Sequence, residues 1–487
     1  MTKKQKISST GLVFFYYLVN NLFHPRGTLR LFAVSFSKKR WYIKCMNVFK
    51  GKKITVMGLG LLGGALNDVR YLASKGADLL VTDLKNEKEL ASSLEKLTEY
   101  TNIKYRLGGH NLEDFQNTDM VLQPGNVPLD SPFLLEARKN NIPVYVSESL
   151  FAQYAPDVVL AGVTGTRGKT TTTHLLYGIL KKAQLNKSSV FLGGNIKNVS
   201  TLALLDQVQS GDIVVLELDS WALHGMGDVQ RSPQVAVFTT FMPDHLNYYK
   251  NNIDLYLADK ANIFKFQQEG DVLVVGSEIS VMLQKKYGRE IKSDVVVARA
   301  ADVPENWRVQ LLGDHNRLNI ACAIGAARAL SVSDEVIKEI VESFAGVEGR
   351  LEFVREYNGV KIYNDTTATT PDATIAGLEA LGKEKNIVLI MGGADKMLDM
   401  DKLVAKLPVY VKEVVLLSGT GTDKIRENIT DVQKSSASTL QDAVLKAVEV
   451  AAQGDVILFS PAFASFGMFT NEYDRGEQFN AVVKGLK

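Results

Sequence analysis

The feature that most constrains the fold is a glycine-rich stretch, VTGTRGKTT, at residues 163–171. An apolar run at 157–162 precedes it and a helix-like run at 172–177 follows it, which predicts the order strand, turn, helix. Glycines let backbone N–H groups converge on phosphate oxygens, and the first turn of the following helix adds positive partial charge. The stretch therefore predicts a nucleotide-phosphate loop within an α/β fold.

Two polar residues of this loop have assignable roles. Lys169 is expected to reach the β- and γ-phosphates of ATP, and the hydroxyl of Thr170 to bind Mg²⁺. Val163 stands where the common phosphate loop has its first glycine, so the spacing is a variant. The alternative is a glycine-rich turn followed by a chance Lys-Thr pair. The predicted ATP contacts within the loop are Gly165, Thr166, Arg167, Gly168, Lys169, Thr170 and Thr171.

Length and pattern together predict three domains. A chain of 487 residues is expected to contain about three domains of roughly 150 residues each. Strand-like and helix-like runs alternate from residue 52 onward, as in α/β folds. The predicted domains cover residues 46–155, 156–345 and 346–487.

Residues 1–45 differ from the rest of the chain. They carry nine basic residues and no acidic one, so the remainder of a chain whose net charge is +2 is negative. That sign argues against nucleic acid as the main partner of the folded body. The apolar run at 12–19 is far shorter than the ~20 residues of a membrane-spanning helix, so no transmembrane segment is expected. We interpret 1–45 as an extraneous or disordered extension, with a weak membrane-surface anchor as the alternative.

The cysteine content fits a reducing compartment. Cys45 and Cys322 are the two cysteines of the sequence, and their separation suggests neither a disulfide framework nor a metal site. A cytoplasmic location is therefore expected.

A second glycine-rich turn opens the first domain. The sequence GLGLLG at 58–63 follows a predicted strand at 53–57, and Asp83 ends the next predicted strand. In this arrangement backbone N–H groups and a helix N-terminus hold a diphosphate, while the acid accepts hydrogen bonds from hydroxyl or imide groups. NAD or FAD fits the pattern, and a UDP-type diphosphate fits it equally well.

Further polar residues follow predicted strands, where α/β folds gather their sites. Glu217 ends an apolar strand beside the phosphate loop, a position from which a carboxylate can hold Mg²⁺. His245 follows another strand end, and Asn195 lies in a short glycine turn. Lys260 lies in a helical run, and spacing alone assigns it no role. Arg350 lies at the junction with the third domain, from which an arginine can reach a phosphate.

Taken together and in this order, the motifs resemble the Mur ligases. The resemblance runs from about residue 46 to the C-terminus and includes the phosphate loop, ELDSW (217–221), DH (244–245), LGDHNRLN (312–319) and GR (349–350). Three further features resemble the glutamate-adding branch: the first-domain turn with Asp83, NDTTAT (364–369), and SPAFAS (460–465) continuing to Arg475. The implied α/β fold has three domains, which are a Rossmann-like UDP-binding domain, a central P-loop ATPase-like domain and a C-terminal Rossmann-like domain.

The resemblance also implies roles for single residues. The UDP-substrate contacts would be Gly60, Leu61, Leu62, Asp83, Lys85 and Asn195. Asn319, Arg350 and Asp365 would join the ATP contacts, and Thr369, Lys396 and Ser465 would contact the amino acid. The Mg²⁺ ligands would be Thr170, Glu217, His245 and Lys260, the last as a carbamylated lysine. The catalytic residues would be Lys169, Glu217, His245 and Lys260.

The implied reaction is ATP-dependent addition of glutamate to UDP-N-acetylmuramoyl-L-alanine, in peptidoglycan precursor synthesis, by a monomer. Phosphorylation of the substrate carboxylate gives an acyl phosphate, which the amine of glutamate attacks. D-Glutamate is favoured, but departures from the family pattern bear on the amino acid. Thr367 stands where the family has a lysine near the amino-acid carboxylate, and Glu472, followed by Tyr473, stands where it has an aromatic residue. Asp219 replaces a serine.

Several alternatives remain open. The same chemistry could use L-glutamate, another amino acid or another acceptor such as a folate, although the UDP-type first domain disfavours folate. An NAD-dependent oxidoreductase leaves the phosphate loop unexplained. The retention of Lys169, Glu217 and His245 argues against a catalytically inactive nucleotide-binding scaffold.

Overall fold

The structure, a computed structural model, describes residues 48–59, 64–125, 127–128, 130–197 and 199–486. The predicted extension at 1–45 and the predicted UDP contacts Gly60, Leu61 and Leu62 lie outside the described residues. Within these ranges three β-sheets follow one another, and apolar clusters cover both faces of each sheet.

The first sheet is five-stranded and parallel, with the strand order β3-β2-β1-β4-β5. Its strands are β1 (Lys53–Met57), β2 (Asp78–Asp83), β3 (Ile103–Leu107), β4 (Met120–Leu122) and β5 (Val144–Tyr145). The helices are α1 (Gly64–Ser74), α2 (Glu87–Leu94), α3 (Pro132–Lys139) and α4 (Ser147–Tyr154), with 3-10 turns at Glu95–Leu97 and Leu112–Phe115.

The central sheet is six-stranded and parallel, with the order β11-β10-β9-β6-β8-β7. Its strands are β6 (Val159–Thr164), β7 (Val190–Gly194), β8 (Ile213–Glu217), β9 (Val235–Phe238), β10 (Val272–Gly276) and β11 (Asp294–Ala298). The helices are α5 (Lys169–Ala183), α6 (Ser220–Asp228), α7 (Ile253–Ala261), α8 (Ser277–Tyr287), α9 (Asp314–Ala329) and α10 (Asp334–Ser343). Short 3-10 turns lie at Leu185–Lys187, Leu202–Asp206 and Ala300–Asp302.

The third sheet has six strands in the order β12-β13-β17-β14-β15-β16, and β12 alone pairs antiparallel. The strands are β12 (Glu352–Tyr357), β13 (Val360–Asn364), β14 (Ile387–Met391), β15 (Val411–Leu417), β16 (Gln433–Ala437) and β17 (Val456–Phe459). The helices are α11 (Pro371–Leu381), α12 (Asp401–Tyr410), α13 (Thr420–Ile425), α14 (Leu440–Val450) and α15 (Glu472–Lys484), with a 3-10 turn at Arg426–Asn428.

The central strands of these sheets are apolar on both faces because helices cover both sides. Every residue of β8 and of β14 is buried, for example, and β-branched residues are frequent in both strands. Parallel pairing places the carboxyl ends of neighbouring strands at one edge of each sheet, and the loops that follow them meet there. Within the described part of the chain, no helix is both long enough and apolar enough to cross a membrane.

Helix α4 joins the first and central domains. Leu150 packs in the core of the first domain, whereas Phe151 packs in a core of the central domain. The carboxylate of Asp68 accepts hydrogen bonds from the hydroxyls of Ser147 (3.0 Å) and Ser200 (2.6 Å) across the same junction. Burial raises the pKa of Asp68 to about 6, although the two hydroxyls act in the opposite direction. The predicted domain boundaries at 155/156 and 345/346 stay predictions.

A buried arginine ties two loops of the third domain together. Arg475 is 1% exposed, and its guanidinium donates to the hydroxyl (3.1 Å) and the carbonyl (2.7 Å) of Thr366 and to the carbonyl of Phe463 (3.2 Å). These residues follow β13 and β17, so Arg475 fixes the relative position of two loops at the carboxyl edge of the sheet.

We expect Arg475→Met to lower the stability of the third domain by about 3 kcal/mol, because it leaves buried oxygen acceptors without their charged donor. The readout is the midpoint of thermal and urea unfolding followed by near-UV circular dichroism. Lys402→Met, at an exposed position of the same domain, is the control and should leave the midpoint unchanged. Equal midpoints for the two variants would contradict the assigned role of Arg475.

Candidate active site

The phosphate loop has the predicted geometry of strand, turn and helix. It leaves β6 at Thr164 and enters α5 at Lys169, with Gly165 (φ 152°) and Gly168 (φ 84°) in the turn. Gly168 adopts the left-handed conformation that favours glycine, and a Cβ atom there would collide with the side-chain amide of Asn319. The predicted ATP residue Asn319 therefore lies directly against the loop.

The loop is tied to the segment that follows β9. The N–H of Thr166 donates to the carbonyl of Thr240 (2.8 Å), and the N–H of Arg167 donates to the hydroxyl of Thr240 (2.9 Å). Thr171, the last of the predicted ATP contacts in this stretch, is buried in the first turn of α5. These contacts hold the backbone in one shape, which a cradle of N–H groups for phosphate requires.

Lys169 lies over the loop that it follows in sequence. Its Nζ donates to the carbonyls of Gly165 (3.1 Å) and Thr166 (3.3 Å). Burial lowers the pKa of Lys169, while the charge of Glu217 opposes that shift. A partly desolvated ammonium at this point is suited to bind the phosphates of a nucleotide, because its interaction with an anion is only weakly screened.

Glu217 ends β8 and is 2% exposed. Its Oε2 has no hydrogen-bond partner among the described residues. Burial raises its pKa, whereas Lys169, Arg350 and the hydroxyl of Thr170 favour the charged form. Burying a carboxylate oxygen costs free energy unless a cation or a hydrogen-bond donor reaches it. The unpartnered oxygen of Glu217 is therefore in the position expected of a Mg²⁺ ligand.

His245 follows β9 and adopts a left-handed backbone conformation (φ 53°). Its Nε2 is 3.8 Å from the carboxylate of Asp244, and its ring packs against Trp221 with ring centroids 4.8 Å apart. Burial lowers its pKa, although the charge of Asp244 opposes the shift. The neutral imidazole that this favours is the form that binds metal ions.

Lys260 is buried in the interior beside the phosphate loop, 1% exposed. Its Nζ donates to the carbonyl of Gly165 (2.9 Å) and to the hydroxyl of Thr164 (3.3 Å), and it lies 4.9 Å from the ring centroid of Tyr256. Burial, followed by the charge of Lys169, lowers the pKa of Lys260 well below its usual range. No feature of its helical spacing had indicated this position.

The third domain reaches the phosphate loop through Arg350, whose Nη2 donates to the hydroxyl of Thr170 (2.8 Å). Asp365 supports this arm, since its Oδ1 accepts from the N–H of Leu351 (3.1 Å) and its Oδ2 from the hydroxyl of Ser460 (2.8 Å). Burial raises the pKa of Asp365 to about 7, although these hydrogen bonds and Arg350 act against the shift.

The residues predicted to contact the amino acid lie in neighbouring loops of the third domain. The Nζ of Lys396 is 3.4 Å from the hydroxyl of Thr369, and Ser465 is buried nearby in the loop after β17. Asp365, at the start of the loop after β13, bonds to Ser460 at the end of β17, so the two loops are directly linked.

The described first-domain residue Asp83 makes its contacts within its own domain, whereas Asn195 lies at the carboxyl edge of the central sheet. Asp83 is buried, and its carboxylate accepts from the N–H of Leu59 (2.8 Å) and the N–H of Lys85 (2.8 Å). Lys85 itself is exposed. Asn195 is also exposed, at the end of β7, where its N–H donates to the carbonyl of Glu217 (2.9 Å). Asn195 therefore extends from the same strand ends as Glu217.

Two contacts between domains were not predicted from the sequence. The Nη2 of Arg167 donates to the hydroxyl of Thr370 in the third domain (2.5 Å). Lys197, in the loop after β7, forms an ion pair with Glu477 and lies 5.2 Å from the ring centroid of Tyr473. In the sequence, Glu472 stands where the family has an aromatic residue, and this departure was the one indication that the region around 472 is unusual. In the structure, the neighbouring aromatic residue Tyr473 contacts Lys197.

Three family models match consecutive parts of this chain. The Mur ligase MurD-like N-terminal domain matches residues 52–146, the Mur ligase middle domain 163–327, and the Mur ligase glutamate ligase domain 349–463. A relative named UDP-N-acetylmuramoylalanine--D-glutamate ligase, from Roseiflexus sp. (strain RS-1), is 37% identical over 470 residues, with 90% of this chain and 99% of the relative covered. The chain belongs to the Mur ligase family.

Other members of the Mur ligase family extend this comparison. A relative of the same name from Borreliella afzelii (strain PKo) is 35% identical, with 91% of this chain and 99% of the relative covered. The solved UDP-N-acetylmuramate-alanine ligase from Thermotoga maritima has a TM-score of 0.57 at 21% identity, covering 90% of this chain and 100% of that one. The MurF ligase from the same organism, solved with ADP, has a TM-score of 0.54 at 18% identity, covering 90% and 96%. At such identities the two structures establish the fold alone.

Family membership confirms three of the sequence-based predictions. They are the resemblance itself, the three-domain α/β fold, and the class of an ATP-dependent, ADP-forming amino-acid ligase. ATP is therefore a substrate, and an oxidoreductase built on the first-domain glycine turn is excluded. The roles of single residues, Mg²⁺ and the carbamylated lysine stay predictions.

We expect Gly168→Ala to weaken ATP binding at least about 10-fold, since the new Cβ atom must displace Asn319 from the loop. Isothermal titration calorimetry with ATP measures the effect. Gly211→Ala is the matched control, because Gly211 has a similar backbone conformation (φ 90°) and no atom of the described residues lies within 4 Å of a Cβ atom there. It should cost about 1 kcal/mol of stability and leave ATP affinity unchanged. Similar ATP affinities for both variants would rule out the Asn319 contact as the cause.

Proposed function

We propose that this chain joins D-glutamate to UDP-N-acetylmuramoyl-L-alanine at the expense of ATP, in the synthesis of peptidoglycan precursors. Its relatives at 34–37% identity carry the name of that activity. The observation that carries the proposal is that Lys169, Glu217 and Arg350 meet at one point of the phosphate loop, where the Oε2 of Glu217 has no hydrogen-bond partner among the described residues. This arrangement suits transfer of a phosphoryl group between bound substrates.

The residues of the chain act mainly by binding and orienting charge. A carboxylate oxygen of the first substrate attacks the γ-phosphorus of ATP, the bond to the β,γ-bridging oxygen breaks, and ADP leaves. Lys169 and Arg350 lie where they can stabilise the negative charge spread over the transferred group. The neutral amine of glutamate then attacks the acyl phosphate carbon, and phosphate leaves as the amide forms and the amine loses a proton.

The described residues fit a Mg²⁺ ion, on the ground that Glu217 has a buried oxygen without a partner. Thr170, Glu217 and His245 would hold the ion, and the Thr170 hydroxyl already accepts from Arg350. When bound, Mg²⁺ neutralises phosphate charge during the transfer.

Carbamylation of Lys260 is part of the proposal. Its lowered pKa favours a neutral amine, which can attack CO₂ to form an N–C bond and then lose a proton. The product is an anion in place of a neutral amine, which suits a position beside Lys169 and beside the predicted metal ligands. Burial of Lys260 protects the carbamate from water.

The other predicted residues complete the placement of substrates. The first domain, residues 46–155, would hold UDP near Gly60, Leu61, Leu62, Asp83 and Lys85, with Asn195 on the substrate side. The third domain, residues 346–487, would hold glutamate near Thr369, Lys396 and Ser465. A monomer is sufficient for this scheme, because one chain supplies every group. The cytoplasmic location and the extraneous or disordered extension at 1–45 stay predictions.

The function is tested by measuring phosphate release from ATP in the presence of UDP-N-acetylmuramoyl-L-alanine. Three reactions are compared, with D-glutamate, with L-glutamate and without an amino acid. We expect stimulation by D-glutamate, together with a product whose mass equals that of the two joined substrates less water. Stimulation by L-glutamate alone would reverse the assigned stereochemistry. Failure of both to stimulate release would exclude the proposed function.

We expect Lys260→Ala to lower turnover by at least about 100-fold and short carboxylates such as acetate to restore part of it, because they can occupy the space of the carbamate. Lys265→Ala is the control, since Lys265 also lies over a tyrosine ring, 5.3 Å from the centroid of Tyr287, outside the site. It should retain full turnover. Full activity of Lys260→Ala would end the carbamate proposal.

A further inference from the structure

The side chain of Arg167 connects the phosphate loop with the third domain. Its Nη1 donates to the carboxylate of Asp244 (3.2 Å), and its Nη2 donates to the hydroxyl of Thr370 (2.5 Å). Thr370 immediately follows Thr369, a predicted contact of the amino acid. The guanidinium of an ATP-loop residue therefore lies at the edge of the amino-acid site.

A second cation approaches the same place from the third domain. The Nζ of Lys396 is 3.4 Å from the hydroxyl of Thr369, and the negative charge of Asp244 interacts with both Lys396 and Arg167. Arg167 and Lys396 thus converge on the adjacent residues Thr369 and Thr370, and two cations so close together repel each other unless anions separate them.

Arg167 retains the capacity to bind a further anion. Its side chain is 31% exposed, and its Nε is buried without a hydrogen-bond partner among the described residues. A guanidinium has five N–H donors in a planar fork that matches a carboxylate, and here they are only partly used. Lys396, for its part, is bonded to a neutral hydroxyl.

Position 367 does not supply a cation to this site. The hydroxyl of Thr367 donates to the carbonyl of Gly349 (2.9 Å), and the carbonyl of Thr367 accepts from the N–H of Thr369 (3.0 Å) in the same turn. A side chain at 367 is therefore close enough to Thr369 to influence the amino-acid site, but threonine carries no charge there.

We propose that Arg167 binds a carboxylate of the incoming amino acid together with Lys396, so that a residue of the ATP loop determines specificity for an acidic amino acid. This inference rests on the proposed function, because it assumes that the third-domain loops hold the amino acid. This role distinguishes Arg167 from the neighbouring residues of the loop, which bind the nucleotide. The same guanidinium would link nucleotide binding to amino-acid binding, since it is held by Thr370.

The decisive experiment compares Arg167→Gln with the wild-type chain in the phosphate-release assay, varying D-glutamate and ATP separately. We expect the KM for D-glutamate to rise about 10- to 100-fold, because a charge-assisted hydrogen bond to the amino acid is lost. The KM for ATP should stay within about 2-fold of the wild-type value. A rise in the KM for ATP with an unchanged KM for D-glutamate would overturn the proposal and make Arg167 a nucleotide-binding residue. Arg167→Lys keeps the positive charge but lacks the planar guanidinium, so its KM for D-glutamate should lie between those of the wild type and Arg167→Gln.

Two further variants distinguish carboxylate binding from a purely structural contact. Thr370→Val removes the cross-domain acceptor but leaves both cations, so its KM for D-glutamate should rise less than that of Arg167→Gln. Arg138→Gln is the matched control, because Arg138 also joins two domains, through Asp228 at 3.1 Å, but away from the site. Its kinetic constants should equal those of the wild type. An equal rise in the KM for D-glutamate in Thr370→Val and Arg167→Gln would show that Arg167 only holds the two domains together and does not bind the amino acid.

Charge rescue supplies an independent test. Thr367→Lys in the Arg167→Gln background places a new cation two residues before Thr369, and we expect it to recover at least part of the affinity for D-glutamate. No recovery, with thermal stability equal to that of the wild type, would contradict the proposal. If the wild-type chain releases no phosphate in response to either glutamate, the proposed function fails and this inference falls with it.

Discussion

The active site depends on the burial of opposite charges beside one backbone loop. Lys169, Lys260 and Glu217 lie together at the carboxyl edge of the central sheet, where water is largely excluded. Burial lowers the pKa of both lysines and raises that of the glutamate, so each group is held in an environment that opposes its charge. Such a set is stable only when charges compensate one another, and bound phosphates and a cation can complete that compensation.

This electrostatic arrangement requires contact between the central and third domains. The central domain places the phosphate loop, but Arg350 and Thr370 come from the third domain and reach the loop only when the two domains are in contact. The contacts therefore link the phosphate loop to the loops of the third domain that are predicted to hold the amino acid. A reaction that passes through an acyl phosphate benefits from this, because closure aligns the amine and keeps water away from the intermediate.

Local sequence was sufficient for the phosphate loop and for the fold of each domain. The loop is a single turn between a strand and a helix, so its glycines and its lysine are adjacent in the chain. Glu217 and His245 were predicted to lie at the site because both follow strands, and parallel strands bring their ends together. Lys260 was different, since an ordinary amphipathic helix carries it and only the family resemblance indicated a role.

The amino-acid sequence by itself determined the alternation of strands and helices, the phosphate loop and the family. Tertiary structure alone decided which partners the charged side chains contact. Arg167 bonds to Asp244 and Thr370, and Lys260 bonds to the carbonyl of Gly165. The physical reason is that secondary structure follows from neighbours along the chain, whereas a side-chain contact depends on the packing of elements far apart in sequence. Arg167 and Thr370 are 203 positions apart in sequence, and contact between the domains brings them together, which no local pattern encodes.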